Sequence, residues 1–146
     1  MNEYLSSFNE IFEVVMKKYN LQVEVVDDYN ICLVGSNYEI EFTIWREGVD
    51  IGYHVLISSS EILQYNVRNF IATHLTDKDR DISGFIFPAG VSVVQSRNLR
   101  DLNYLANALQ NHFPSMLEGT MEWLESYEKY IWYQKPLIRK RRKRLE

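Results

Sequence analysis

Between Tyr4 and Tyr19 the apolar residues Phe8, Ile11, Phe12, Val15, Met16 and Tyr19 fall at the spacing of one helical face, which predicts an amphipathic N-terminal helix. After Asn20 the period drops from about 3.6 to 2. Leu21, Val23 and Val25 alternate with polar neighbours, Asp27-Asp28 supplies a turn, and Tyr29, Ile31 and Leu33 alternate again. Tyr38, Ile40, Phe42 and Ile44 are interleaved with Glu39, Glu41 and Thr43, and Val49, Ile51, Tyr53, Val55 and Ile57 complete a fourth run. Opposed residues of an antiparallel pair share a face, so apolar positions must meet across each turn. A two-residue loop at Gly35-Ser36 opposes Leu33 with Tyr38 and Ile31 with Ile40, with glycine where a type II′ turn wants it. A loop at Glu47-Gly48 opposes Ile44 with Ile51, Phe42 with Tyr53 and Ile40 with Val55. The expectation is a meander of four antiparallel strands with one apolar face.

Helical spacing returns at Leu63, Val67, Phe70, Ile71 and His74 behind Ser58-Ser59-Ser60, predicting a middle helix over roughly 60–75. Asp77 to Asp81 reads as a charged loop, and the segments 84–87 and 91–94 flank Pro88-Ala89-Gly90 as a further hairpin. Asn98 with Asp101 resembles a capping box for a helix whose inner face is Leu102, Leu105, Ala106 and Leu109. Pro114 suits the first turn of a last helix that carries Leu117, Met121, Leu124 and Ile131 inward, with Gly119 as a kink. Lys135-Pro136 ends regular structure. The expected fold is therefore α+β: the four-stranded meander, extended by the hairpin, with an N-terminal helix, a middle helix and a two-helix C-terminal region on one face. Residues 1–134 form one domain, and 135–146 a basic tail disordered by self-repulsion, whose last pair, Leu145-Glu146, matches a cloning junction.

Charge sharpens this picture because it is unevenly placed. Residues 1–138 carry 10 basic and 19 acidic side chains, a net of −9, whereas Arg139 to Glu146 carry six basic residues and one acid, a net of +5. An acidic body repels nucleic acid and anionic membrane and steers towards basic partners, so nucleic-acid binding is expected only through Arg139 to Arg144. No apolar run approaches the ~18–20 residues of a spanning helix, and the N-terminus has no signal-peptide pattern, which points to the cytoplasm. With 46% hydrophobic residues the chain has material for a sizeable core, and its one cysteine, Cys32, reads as a packed strand thiol.

Sites for catalysis, cofactors or metals are not legible. The three histidines, His54, His74 and His112, lie on separate elements, the six glycines are too dispersed for a phosphate loop, and no serine sits in a nucleophile elbow. The expected register sets Glu41 opposite His54 on the polar face, which reads as a surface charge pair. More informative are aromatics at polar positions: Trp45 has the wrong parity for the core, and Trp123, Tyr127 and Tyr130 form a stripe offset from Leu117, Met121 and Leu124. They are either a second packed layer or anchors of a protein-binding surface.

The segment Met116 to Glu128 (MLEGTMEWLESYE), together with strands of the type Tyr38 to Phe42 (YEIEF), resembles small bacterial immunity proteins of polymorphic or contact-dependent toxin systems. That resemblance implies a non-catalytic inhibitor occluding a cognate toxin, monomeric or homodimeric, with Trp45, Trp123, Tyr127 and Tyr130 as anchors. Glu41, His54, Glu118, Glu122 and Glu125 would complete the surface. The element order is also similar to class I type III secretion chaperones, which implies a homodimer gripping an extended segment of a secreted effector. An enzyme of unrecognised type is the third class.

Overall fold

The computed structural model describes residues 1–144; the Leu145-Glu146 junction lies outside the described residues. Strands β1 (Gln22–Val25), β2 (Asn30–Val34), β3 (Tyr38–Trp45), β4 (Gly48–Leu56), β5 (Glu61–Asn66) and β6 (Leu137–Lys140) form one antiparallel sheet in the order β1-β2-β3-β4-β5-β6. Helices α1 (Leu5–Ile11), α2 (Glu13–Tyr19), α3 (Arg68–Ala72), α4 (Val93–His112), α5 (Pro114–Glu118) and α6 (Leu124–Glu128) accompany it. The fold is α+β, as expected, and the sheet has six strands where four and a hairpin were expected.

Within the strands the alternation reads the faces correctly, but Tyr29 and Ile57, expected on the apolar face, lie just outside β2 and β4 and are exposed. Ile31, Leu33, Ile40, Phe42, Ile44, Ile51 and Tyr53 are all buried, and Phe8, Phe12, Val15, Leu102, Leu105 and Leu109 join them in one core with the helices. Both expected hairpin registers, however, are displaced by two residues. Leu33 opposes Ile40, Ile31 opposes Phe42, Ile44 opposes Val49 and Phe42 opposes Ile51, so the turn tips are Ser36-Asn37 and Arg46-Glu47. A shift of two keeps every side chain on its face, which is why the burial pattern alone does not detect it. What decides is local: the Tyr38 ring lies across Gly35, where a Cβ would sit 2.2 Å from Cε1, so Gly35 pairs with Tyr38 instead of forming the tip. Gly48, at φ 146°, takes the first paired position after the second turn.

Three elements depart from expectation. Residues 61–66 form β5 and only Arg68–Ala72 is helical, because the β4 edge needs a partner and Leu63 and Tyr65 enter the core face opposite Val55 and Tyr53. No hairpin forms around Pro88-Ala89-Gly90; α4 begins at Val93, where the Ser92 side chain accepts from Gln95 N and the Gln95 side chain accepts from Ser92 N. Asn98 is therefore inside the helix, buried, donating to Tyr4 Oη at 3.0 Å and to the Trp45 carbonyl at 2.8 Å. The last helix is two short ones, since Gly119 at φ 83° ends α5 in the left-handed region, and Ile131 is exposed rather than inward.

The basic tail is not a disordered extension. Leu137–Lys140 is β6, on the far edge of the sheet against β5, and Arg141 N continues the ladder to Ser60 O at 2.8 Å.

Candidate functional site

The face of the sheet opposite the core is polar, and the register arranges it in rows. Glu24, Cys32, Glu41 and Gly52 face one another across β1 to β4, and Val34, Glu39, His54, Gln64 and Leu137 form the neighbouring row across β2 to β6. Glu39, rather than Glu41, is opposite His54: Nδ1 of His54 is 3.1 Å from Glu39 Oε2, and Nε2 is 3.9 Å from Glu41 Oε1. This is not the expected surface pair. Glu39, Glu41 and His54 are 1%, 8% and 3% exposed.

What covers them is the C-terminal basic run. Arg141 donates through Nε to Glu39 Oε1 at 2.9 Å and lies 3.5 Å from Glu24. Arg142 reaches Asp27 at 3.3 Å and hydrogen-bonds Glu41. Arg144 bonds Glu24 at 2.9 Å and Glu39 as well, while Arg139 donates to Gln64 Oε1 at 2.7 Å. Four carboxylates thus meet three guanidiniums, and a buried carboxylate is tolerable only when paired in this way. Burial alone would raise the Glu39 pKa, but hydrogen bonds from His54, Arg144 and Arg141 and the Arg144 charge outweigh it and hold the group at about 2. Burial, and then the charges of Glu39 and Glu41, push the Cys32 thiol far up, which keeps it an unreactive packed thiol.

His54 Nε2 is buried without a hydrogen-bond partner. It lies over Gly52, where a Cβ would stand 3.0 Å away, and borders a cavity of about 10 Å³ enclosed by Glu39, Glu41, Gln64, Arg142 and Arg144. That is room for about one water. The His54–Glu39 pair has the geometry of an oriented base, but with the tail in place nothing larger reaches Nε2.

The expected aromatic stripe is divided by burial. Trp123 and Tyr127 are sealed in the core: Trp123 stacks edge-on against Tyr53 and Tyr65 at 4.9 and 5.4 Å, and Tyr127 Oη donates to Asn66 O at 2.8 Å. Neither can anchor a partner; the offset stripe is a second packed layer because the chain after Gly119 folds back over the β4–β5 end of the core. Tyr130 is half-buried against Phe70, and Trp45 is 48% exposed. Glu118, Glu122 and Glu125 are exposed, with Glu125 paired to Lys129 at 3.1 Å. Two adjoining open grooves, sharing Asp50, Arg68 and Asn69, connect Trp45 with Tyr130 and Trp132. Trp132, 70% exposed, was missed in the sequence, because it lies outside any periodic segment.

A second polar cluster is structural. Buried Asp79 accepts from Thr76 N at 2.9 Å, Asn111 Nδ2 at 2.6 Å and His112 Nε2 at 2.8 Å, tying the 76–81 loop to the end of α4. Burial opposes its ionisation, yet the bonds from Asn111, Thr76 and His112 hold it at about 2. Among the described residues no group of three or more histidine, cysteine or acidic side chains is placed to hold a metal ion, and no helix is long and apolar enough to cross a membrane.

No protein-family model matches the chain, and no curated protein and no solved structure matches it either.

Proposed function

We propose that this protein is a non-catalytic binding domain for a basic partner protein, acting in the cytoplasm as an immunity-type inhibitor that occludes a basic toxin. The observation that carries the reading is the sheet face on which Glu24, Asp27, Glu39 and Glu41 converge on guanidinium groups. Arginine is the cation best suited to such a face, since its fork matches carboxylates and its charge is weakly hydrated. The net charge of −4 that the chain keeps with its tail seated favours the approach of a basic partner. Trp45, Tyr130 and Trp132, with Glu118, Glu122 and Glu125, supply aromatic contact area and further acids. The pairing of Arg141, Arg142 and Arg144 with carboxylates weighs against nucleic acid as the ligand of the tail.

A chaperone that grips an extended segment is the second reading, and one observation favours it: β6 adds to the sheet as a short edge strand. The test is capture of a partner from the native host, followed by reconstitution from purified proteins. The first reading expects a basic protein in a 1:1 complex, its activity blocked, with Trp45→Ala and Trp132→Ala weakening the complex about tenfold or more, the scale of an interface hot spot. A homodimer binding an unfolded secretion segment establishes the second. A complex indifferent to both tryptophans, or no protein partner, contradicts the proposal.

A further inference from the structure

The segment that covers the carboxylate face is held differently from the rest of the molecule. All four residues of β6 are exposed, Leu137 and Ile138 by 61% and 67%, so the strand contributes nothing to the core. Its attachment consists of the β5 ladder, the Arg141 N bond to Ser60 O and the guanidinium pairs. Exposed backbone bonds with little apolar burial mark the units that open most easily. The receptor beneath is the opposite: Glu39, Glu41 and His54 stand on β3 and β4, the central strands, with a buried core behind them. Tyr127, fixed in the core, accepts from Gln134 N at 3.4 Å, and Gln134 Oε1 accepts from Asn66 at 3.0 Å, so the chain is anchored at residue 134, and Lys135-Pro136 links that anchor to β6.

We infer that the carboxylate face and the adjoining edge of β5 form a binding site for an extended, arginine-bearing strand of a partner protein, and that Leu137–Arg144 is its resident, displaceable occupant. The inference rests on reading this face as a site for basic protein, and adds the ligand class and the competition. Two independent features point to a ligand. Three arginines of the chain itself show which groups the carboxylates accept and at what spacing, at positions 141, 142 and 144. The unpartnered, buried Nε2 of His54 faces the same cavity, so the resident segment leaves one polar group unused that a better-fitting strand would engage. Pairing to a free sheet edge supplies affinity without sequence demands, and the arginine spacing supplies selectivity. A tethered occupant competes at an effective concentration in the millimolar range, so a free strand must bind well to displace it.

The experiment uses the 146-residue chain and, as probe, a fluorescent peptide of its own residues 137–144. With Arg141, Arg142 and Arg144 all replaced by alanine, the face should bind the peptide at least about tenfold more tightly than the wild-type chain does, because the tethered competitor loses its guanidinium pairs and holds on only by backbone bonds. Glu39→Gln with Glu41→Gln in that background should lose the gain, and a peptide with alanine at its three pairing arginines should not bind. If the triple variant does not fold, as judged by its thermal melt, Arg144→Ala alone, which frees one pair to Glu24 and one to Glu39, should give a smaller gain of about threefold. Equal affinity in wild type and tail variants, or binding indifferent to Glu39 and Glu41, overturns the inference. So does a wild-type dimer exchanging its tails between copies, because the seat then belongs to a second copy. Failure here leaves the capture of a basic partner through Trp45 and Trp132 to stand or fall by itself, and failure of that capture leaves the peptide result intact.

Discussion

At the scale of single residues, the acids on the polar face follow from parity. Glu39 and Glu41 share a strand face by simple alternation, and the sequence places them beside His54, but it pairs the histidine with the wrong one because the register is off by two. Their burial was not legible, since it depends on a segment a hundred residues away. Glu39 has the clearest signature in pH. Its folded pKa, about 2, lies below the ordinary 4.5, so its contribution to stability is fully present above pH 4.5 and is lost as pH falls towards 2. Urea melts between pH 5 and 2 should show a steeper loss in the wild type than in Glu39→Gln, with the remaining slope carried by groups such as Asp79. Glycines give a second residue-level contrast. Gly119 has φ 83°, and its Cβ would lie 2.6 Å from the Tyr38 ring, so Gly119→Ala should cost more than ~1 kcal/mol, whereas Gly84→Ala, with nothing within 4 Å, should be near neutral in the same melts.

Elements were legible where the pattern had only one solution. The inner face of the N-terminal helical segment, the first four strands and the inner face of α4 follow the expected periods, although the one expected N-terminal helix is divided at Phe12 into α1 and α2. β5 was not legible, since a short apolar run fits helix and strand alike and the choice is made by the unpaired edge of β4. The start of α4 is capped by Ser92 with Gln95, where the expected cap was Asn98 with Asp101. Tertiary structure uses Asn98 instead to join Tyr4 and Trp45. Ser92→Ala should therefore cost about 1 kcal/mol, the usual worth of such a cap. Asn98→Ala should cost more, as it strips two buried bonds and leaves a cavity between α4, Tyr4 and the end of β3.

For the molecule as a whole, the separation of an acidic body from a basic tail was plain in the sequence, whereas the tail itself was expected to be disordered. Order in the tail could not be read locally: Leu137–Lys140 has no strong strand pattern, and the six consecutive cations repel one another until the carboxylates of β1 and β3 and the β1–β2 turn pair with three of them, Arg141, Arg142 and Arg144. The candidate surface was therefore half visible. Trp45, Glu118, Glu122 and Glu125 are exposed and Glu41 and His54 lie on the polar face, Trp123 and Tyr127 proved to be core, and the arginines that pair with the face were expected in a disordered tail. Binding at this face depends on the seating of the tail against the sheet. Hydrogen–deuterium exchange of residues 137–144, compared between the wild type and the Glu39→Gln, Glu41→Gln double variant at low salt, measures it directly. Slow exchange in the wild type, with Arg141 N among the protected amides, and exchange at least about tenfold faster in the variant is the expected result. Equally fast exchange in both would contradict it.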